Sequence, residues 1–453
     1  MFYCLQGVWS RTKMIRHFLR RRCWVMLDRE LQSSLLSGPG SSHRRVLWSK
    51  QPECWHAYST NSRSIVLGIE TSCDDTAVGI VDDEGNILGE AAHSQLAKHI
   101  EYGGIIPPIA RDMHAENIAR VAQDALKQCP VPLEAMTAIA VTTRPGMALS
   151  LRVGFDFACN LARKYGKPLI PVHHMEAHAT AVRLQHRVEF PYLVLLVSGG
   201  HCQLAVVRAI DDIVLLGQTI DDAPGEAFDK VARRLKLHNL PECRLLSGGA
   251  AIELQARGAN PHAFPFPEPM LDYRSCDFSF AGLKNSVFRE ILRLEKQHGI
   301  EADALVPELH DVCASMQRAV VQHLVRRTQR ALEFCSRQGL LPPLASDEPR
   351  QEMAAPTVVV AGGVACNGVL RDTLAQLCDH LGARFVATPA RLCSDNGLMV
   401  AWNGLELYAA SPASAVVDLD SFRVEPRCPL GTDISQSVAQ ASIKLQKIKL
   451  KFD

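Results

Sequence analysis

The sequence predicts an α/β protein made of two similar lobes, and two observations support this class. Strand-like segments alternate with helix-like segments along the chain, which favours sheets covered by helices. In addition, a strand, a polar turn and a second strand begin at Ile65, and the same arrangement returns at Tyr192. Two lobes of this kind would face each other, and a ligand would lie in the cleft between them.

The first unit begins with an apolar strand from Ile65 to Ile69. The polar residues Glu70 to Asp75 follow as a turn, and a second strand runs from Thr76 to Val81. Acidic and glycine residues from Asp82 to Asn86 close this unit.

The second unit repeats the design with a strand from Tyr192 to Val197, a turn over Ser198 to His201 and a strand from Cys202 to Val207. Ile213 to Leu216 is a candidate for a third strand. A further version, Thr357 to Val360, leads through a Gly-Gly turn into a helical pattern that begins at Asn367. The other expected helices are Met113 to Lys127, Gly154 to Tyr165, His174 to Gln185, Phe228 to Leu235 and Ala314 to Cys335.

These units set the expected domain organisation. The segment after Arg337 is rich in proline, serine and charge and is expected to be a surface insertion, and four lysines near the end indicate a basic tail without a core face. The predicted segments are a leader (1–63), a first lobe (64–188), a second lobe (189–433) that contains the insertion (337–356), and the tail (434–453).

The leader has the composition of an organelle transit peptide. Basic residues from Arg11 to Arg22 alternate with apolar ones, the first acidic residue is Asp28, and serine and glycine are frequent from Ser33 to Ser42. We therefore expect the mitochondrial matrix, with processing before Ser64. The alternative is a disordered basic tail or a start assigned too far upstream. The leader carries a net charge of +8, and because the whole chain carries +1, residues 64–453 carry −7.

Composition and cysteine spacing exclude several classes. The chain has 453 residues, of which 47% are hydrophobic and 21% charged, as in a globular protein of about two domains. No apolar run reaches the roughly 18 residues of a membrane-spanning helix. The 15 cysteines include no Cys-x-x-Cys pair, which argues against a disulfide framework or a zinc ribbon.

Two histidines form the main candidate for a metal site. His174 and His178 are four residues apart, so in a helix both imidazoles lie on one face and can bind one metal ion. Two histidines at this spacing are also common as ordinary surface or core residues. Asp395, on a glycine-terminated turn, is the candidate third ligand, and such a trio leaves coordination positions open.

Glu176 invites comparison with the His-Glu-x-x-His metallopeptidases. In that motif the glutamate follows the first histidine directly, whereas Glu176 follows His174 by two positions, about 200° around a helix. It is therefore expected to face away from the metal, which disfavours a peptidase.

Glycine turns are candidates for phosphate or nucleotide binding. Ser198-Gly199-Gly200 allows the backbone to approach an anion and to present N–H groups to it, although most glycine pairs in hairpins are only turns. Asp229, in the first turns of a helix, could bind a ribose or simply complement the helix dipole. Asn367 could cap its helix or contact a ligand. The segment from Asp277 to Asn285 suits a substrate-facing loop and a packed turn equally well.

Together these segments resemble the tRNA N6-adenosine threonylcarbamoyltransferase family, formerly called O-sialoglycoprotein endopeptidases or glycoproteases. The basic leader is similar to that of a mitochondrial, single-polypeptide member. The stretches that carry the resemblance are Gly68 to Asp75, Gly103 to Pro107, His174 to His178, Val197 to His201, Gly225 to Lys230, Phe278 to Asn285, Ala361 to Asn367 and Ser394 to Gly397.

The resemblance implies an actin-like ATPase fold of two ribonuclease-H-like lobes with metal and nucleotide between them. It implies one divalent metal ion per subunit, with iron and zinc as candidates, bound by His174, His178 and Asp395. No catalytic residue beyond the metal site is implied. The implied contacts to the adenylate-type substrate are Leu196, Val197, Ser198, Gly199, Gly200, Asp229, Gly249, Glu253, Cys366 and Asn367.

The reaction implied by the resemblance moves a threonylcarbamoyl group from threonylcarbamoyl-adenylate to the N6 amine of adenosine 37 in tRNAs that read ANN codons. The implied partners are tRNA, a separate synthase that supplies the adenylate, and a second copy of the chain. Three other functions remain open: an actin-fold kinase or ATPase, which would not need the histidine pair, a metallopeptidase, and a nucleotide-gated scaffold.

Overall fold

The computed structural model describes residues 63–102, 104–344 and 355–452. The predicted leader therefore lies outside the described residues except for Arg63, and so do residues 345–354 of the predicted insertion.

The first lobe is built on a five-stranded sheet of order β3-β2-β1-β4-β5. Its first three strands pair antiparallel, whereas β4 runs parallel to β1 and β5 runs parallel to β4. The strands are β1 (Ile65–Glu70), β2 (Asp75–Asp82), β3 (Ile87–Ser94), β4 (Ala138–Arg144) and β5 (Leu169–His173). The helices of this lobe are α1 (Leu96–Glu101), α2 (Pro107–Gln128) and α3 (Ala148–Tyr165), and α4 (His174–Thr180) leads towards the second lobe.

The second lobe is built on a six-stranded sheet of order β10-β9-β6-β7-β8-β11. Its strands are β6 (Tyr192–Val197), β7 (Cys202–Ala209), β8 (Asp212–Gln218), β9 (Thr357–Ala361), β10 (Arg384–Ala387) and β11 (Thr432–Asp433). The helices that follow in this part of the chain are α5 (Pro224–Arg234), α6 (Gly248–Ala256), α7 (Ala281–His298), α8 (Leu309–Arg337), α9 (Gly368–Leu381), α10 (Gly397–Ala410), α11 (Pro412–Ala415) and α12 (Ser435–Ala441).

The two sheets repeat one topology. The order β3-β2-β1-β4-β5 in the first corresponds to β8-β7-β6-β9-β10 in the second, with an antiparallel three-stranded meander followed by two parallel strands in both. Two such ribonuclease-H-like sheets in one chain make the actin-like ATPase fold, which confirms the predicted fold class. The carboxyl ends of the parallel strands are where ligands bind in open α/β sheets.

Helix α10 does not belong to the second lobe, although the predicted segment 189–433 includes it. The helix packs on the first sheet, because Gly68 of β1 and Gly79 of β2 leave room for it. A side chain at Gly79 would overlap the backbone of Leu398, and one at Gly68 would overlap Ala401. The predicted lobe boundary is therefore wrong for this helix, since an all-round apolar helix carries no mark of which sheet it covers.

The expectation of a tail without a core face is also wrong. Val438 and Ile443 are buried in the core of the second lobe, and Ile448, Leu450 and Phe452 pack against that core. The lysines of the tail remain exposed. Short alternating segments of this kind have period 2, which a search for helical periodicity misses.

Among the described residues, no helix combines the length and the apolar character needed to cross a membrane.

Candidate active site

Helix α4 carries both candidate histidines and begins directly after β5. The Nδ1 atom of His173 caps the helix by accepting hydrogen bonds from the backbone N–H groups of Met175, at 3.2 Å, and Glu176, at 3.4 Å. This role requires a neutral ring, and burial, together with the nearby Arg144, lowers the pKa of His173 to about 4. The cap therefore fixes the start of the helix and with it the histidine pair.

His174 and His178 both point at Asp395. The Oδ1 atom of Asp395 lies 3.0 Å from Nε2 of His178 and 3.5 Å from Nε2 of His174. The two rings are perpendicular, with centroids 4.7 Å apart, and all three donor atoms lie within 4.8 Å of one another. The structure thus brings together the three predicted ligands, although Asp395 follows His178 by 217 positions in the chain.

Asp395 reaches this position because it lies just before α10, and α10 is held on the first sheet by the glycine contacts described above. Burial by itself raises the pKa of the Asp395 carboxyl, but His174 and His178 outweigh burial and hold it well below its usual range.

Glu70 is a positioning residue that the sequence reasoning did not single out. Its Oε2 atom lies 3.1 Å from Nδ1 of His174 and accepts a hydrogen bond from Oγ1 of Thr142 at 2.7 Å. Its Oε1 atom accepts from the backbone N–H of Ser72 at 2.5 Å. Since a carboxylate only accepts, Nδ1 of His174 carries the proton and Nε2 is left to face Asp395.

The cluster has the electrostatics of a cation site. Burial lowers the pKa of His174, but the carboxylates of Asp395 and Glu70 outweigh it and raise that pKa to about 9. The pocket therefore favours positive charge. Two imidazole nitrogens and one carboxylate oxygen also form a donor set that suits a divalent metal and leaves positions open. The residues present thus fit a metal ion.

Glu176 faces away from this cluster, as its spacing predicts. Burial raises its pKa to about 7, and the charged groups nearest to it are Arg144 and Asp211 rather than a metal ligand. The geometry required of a metallopeptidase base is absent at this position.

The Ser198–His201 turn lies beside the metal cluster. It packs against the start of α5, where the N–H of Gly225 donates a hydrogen bond to the carbonyl of Ser198 at 3.2 Å. Burial, with His174 and His178 nearby, lowers the pKa of His201 to about 4. Gly199 and Gly200 are exposed, with open space where side chains would be. The turn therefore offers an accessible backbone next to the candidate metal ligands.

Leu196 and Val197, two predicted substrate contacts, are fully buried in β6. Neither residue exposes its backbone or its side chain, so a substrate contact by either stays a prediction. Gly362, at the end of β9, has a φ of 94° and approaches the carbonyl of Val197 so closely that a side chain would overlap it.

Two predicted polar contacts, Asp229 within α5 and Glu253 within α6, bind the starts of neighbouring helices. Asp229 accepts from the N–H of Gly248 at 2.8 Å, beside Gly249 at the start of α6. Glu253 accepts from the N–H of Gly368 at 2.9 Å, at the start of α9. Both carboxylates thus organise neighbouring helix starts, and a direct substrate role for either remains a proposal.

Asn367 is the N-cap of α9. Its Oδ1 accepts from the N–H of Leu370 at 3.0 Å, and its Nδ2 donates to Gln317 at 2.8 Å. The capping interpretation is confirmed. Cys366, one residue earlier, is exposed, and a hydrogen bond with Cys393 lowers the pKa of its thiol to about 7.

The sequence reasoning missed four residues around the metal ligands. Glu70, Ser72 and His201 fall within the stretches that carry the family resemblance, which is the signal that could have found them. Thr142, on β4, lies 72 residues from Glu70 and had no such signal.

The fold and the site define the class of protein: an actin-fold protein with a candidate His-His-Asp metal site beside a glycine turn. The sequence model described as "TsaD: tRNA N6-adenosine threonylcarbamoyltransferase" matches residues 86–402. The chain therefore belongs to the tRNA N6-adenosine threonylcarbamoyltransferase family and is a transferase.

Curated relatives agree with this membership. The mitochondrial tRNA N6-adenosine threonylcarbamoyltransferase of Homo sapiens is 47% identical over 411 residues, which cover 91% of this chain and 97% of the relative. The Mus musculus protein of the same name is 45% identical over 395 residues, covering 87% and 93%. Among solved structures, component A of the (R)-2-hydroxyglutaryl-CoA dehydratase of Acidaminococcus fermentans matches with a TM-score of 0.41 and 14% identity, covering 75% of this chain and 96% of that one.

Proposed function

We propose that this chain transfers the threonylcarbamoyl group from threonylcarbamoyl-adenylate to the N6 amine of adenosine 37 in mitochondrial tRNAs that read ANN codons. The observation that carries the proposal is the close grouping of His174, His178 and Asp395 beside the open Ser198–His201 turn. The family membership supports the same reaction.

In this proposal the chain acts mainly by positioning. The exposed backbone at Gly199 and Gly200 binds the phosphate of the adenylate, and the starts of α5, α6 and α9 surround the remainder. A divalent ion held by His174, His178 and Asp395 would polarise the acyl phosphate and stabilise its developing charge. The N6 amine attacks the carbamoyl carbon, the carbon–oxygen bond to the phosphate breaks, AMP leaves, and the amine loses one proton to solvent. An activated acyl phosphate needs no enzyme nucleophile.

Several finer assignments belong to the proposal. Imidazole and carboxylate ligands suit both iron and zinc, so we propose one of these as the native metal. The relatives are named mitochondrial, which supports a mitochondrial location, and we propose the matrix within it. We also propose a homodimer and a separate synthase that supplies the adenylate.

The test is reconstitution with the purified chain. Threonine, bicarbonate, ATP, a threonylcarbamoyl-adenylate synthase and unmodified mitochondrial tRNA are incubated with the chain, and nucleosides are measured by mass spectrometry. We expect threonylcarbamoyl-adenosine with the wild type, none with His178→Ala, and wild-type yield with His186→Ala, which removes an exposed histidine outside the cluster.

No product from the folded, metal-loaded wild type, with the adenylate present, would refute the proposal and favour the scaffold function. ATP consumption by the chain alone, in a mixture without the synthase, together with a lack of tRNA modification in the full mixture, would instead favour a kinase or ATPase.

A further inference from the structure

The carboxyl-terminal tail presents a regular row of lysines. Ile448, Leu450 and Phe452 pack against the core of the second lobe, and the alternate residues Lys447, Lys449 and Lys451 are exposed. Together with Lys444, which is also exposed, these lysines form a surface that we call the lysine ridge. Alternate side chains of an extended segment lie about 6.6 Å apart, which is comparable with the spacing of successive phosphates in a nucleic acid strand.

The backbone beneath the lysine ridge is held by polar side chains of two helices. Gln329 of α8 donates to the carbonyl of Gln446 at 3.0 Å. Gln376 of α9 bonds both to the N–H of Lys451, at 2.9 Å, and to its carbonyl, at 3.3 Å. Nearer the start of the tail, Arg274 donates to the carbonyl of Ser442 at 3.2 Å. The row therefore has a defined position instead of trailing from the lobe.

The lysines of the lysine ridge have no acidic partner within the part of the chain that the structure describes. Among the described residues, none of its four lysines forms an ion pair, whereas many other surface lysines and arginines do. An array of like charges without partners gains nothing for folding. Its arrangement therefore points to an external polyanion.

The lysine ridge ends on α9, the helix that begins after Asn367, a predicted substrate contact. Lys451 is hydrogen-bonded to Gln376, which follows Asn367, the N-cap of α9, by nine positions. At 1.5 Å per residue the axial separation is about 13 Å. A polynucleotide whose base enters the site can therefore place neighbouring phosphates on the ridge.

We propose that the lysine ridge binds the phosphate backbone of the RNA substrate, an inference that rests on the proposed function. Residues 64–453 carry a net charge of −7, so phosphate binding has to come from local groups. The apolar residues of the tail face the core, which leaves no apolar face to insert into a lipid surface. Charge without exposed aromatic residues is also untypical of the centre of a protein–protein interface.

The experiment compares the wild-type chain with a Lys447→Gln/Lys449→Gln/Lys451→Gln variant, which removes three charges and leaves the core-facing residues intact. The matched control is Lys127→Gln/Lys164→Gln/Lys296→Gln, which removes three charges from exposed positions on other helices. Affinity for unmodified mitochondrial tRNA is measured by fluorescence anisotropy at several salt concentrations. Melting temperature and metal content establish that each variant is folded.

We expect the ridge variant to bind tRNA at least about tenfold more weakly at low salt, with the slope of log affinity against log salt shallower by about 2 to 3. Its rate of adenosine modification at low tRNA concentration falls by the same factor, whereas the control matches the wild type. An equal loss of tRNA affinity in the control variant would mean that the net charge of the protein alone determines tRNA binding, and this would overturn the inference.

Unchanged tRNA affinity in the folded ridge variant would also overturn the inference about the lysine ridge. The proposed function would still stand in that case, provided that the wild-type chain modifies tRNA. If the ridge variant lost binding only to vesicles containing anionic lipid, the ridge would be assigned to a membrane surface instead. A wild type that modifies no tRNA would refute the proposed function itself, separately from the ridge.

Discussion

The Oε2 atom of Glu70, at the end of β1, lies 3.1 Å from Nδ1 of His174, the first residue of α4. This contact links the first sheet to the helix that carries both histidines, and Thr142 and Ser72 hold the carboxylate from two further directions. A carboxylate behind a ligating histidine orients the ring and raises its basicity. The first sheet therefore positions the candidate metal ligand His174.

Substitution Glu70→Gln is expected to weaken metal binding by about 10 to 100-fold, because the histidine loses its charged acceptor. A chelator competition titration with zinc measures the change. Glu84→Gln, on an exposed turn of the same hairpin, should leave metal affinity unchanged. Wild-type affinity in Glu70→Gln would mean that the carboxylate does not orient His174.

Gly68→Ala should displace α10, because a methyl group at this position overlaps the backbone of Ala401. We expect a loss of about 1–3 kcal/mol in the free energy of unfolding, together with weaker metal binding as Asp395 moves. Urea denaturation and metal analysis measure the two effects.

Gly282→Ala is the control for this substitution, since position 282 lies in α7 with open space around it. It should be neutral or slightly stabilising. A Gly68→Ala variant as stable as the control would contradict the packing of α10 described here.

Removal of the proposed metal should lower the thermal stability of the chain. A ligand that binds only the folded state at 100 times its dissociation constant contributes about 2.7 kcal/mol. Calorimetric melting with and without a chelator should therefore give a lower melting temperature after chelation for the wild type and no difference for His178→Ala. A chelator effect of equal size in both would place the stabilising metal elsewhere.

Acid should destabilise the second lobe through His323. Its Nε2 accepts from the N–H of Ser279 at 3.3 Å, and burial together with Arg327, Arg326 and Arg330 lowers its pKa to about 3. The unfolded chain, with a histidine pKa near 6.5, binds the proton first as pH falls. The contribution of neutral His323 to the free energy of unfolding is therefore complete above pH 6.5 and decreases towards pH 3. Between pH 7 and pH 5 the free energy of unfolding falls by about 2 kcal/mol.

His323→Gln keeps an acceptor for Ser279 but does not titrate in this range. Denaturation at pH 7 and pH 5 should therefore show a smaller pH dependence for this variant. The same dependence as in the wild type would assign the acid sensitivity to other groups.

Much of the fold could be predicted where local pattern is strong. Strand β6 was predicted over its observed range because Tyr192 to Val197 is an unbroken β-forming apolar run. Helix α10 was missed, since it is apolar on almost all sides. Strand β4 was also missed, although Ile139, Val141 and Thr142 within Ala138–Arg144 are residues that favour strands. The structure brings the ligand atoms of His174, His178 and Asp395 within 4.8 Å of one another, while their binding of metal stays a proposal.

The sequence by itself determined the repeated strand units, the histidine pair on one helix face and the family. Each of these depends on residues that are close together in the chain or on motifs that follow in a fixed order. Only the tertiary structure decided that α10 covers the first sheet, that Glu70 supports His174, and that the lysines of the tail form a row over α8 and α9. These relationships depend on contacts between segments that are far apart in the chain. Packing volume and hydrogen-bond partners decide which segments come together, and local hydrophobic periodicity does not indicate either.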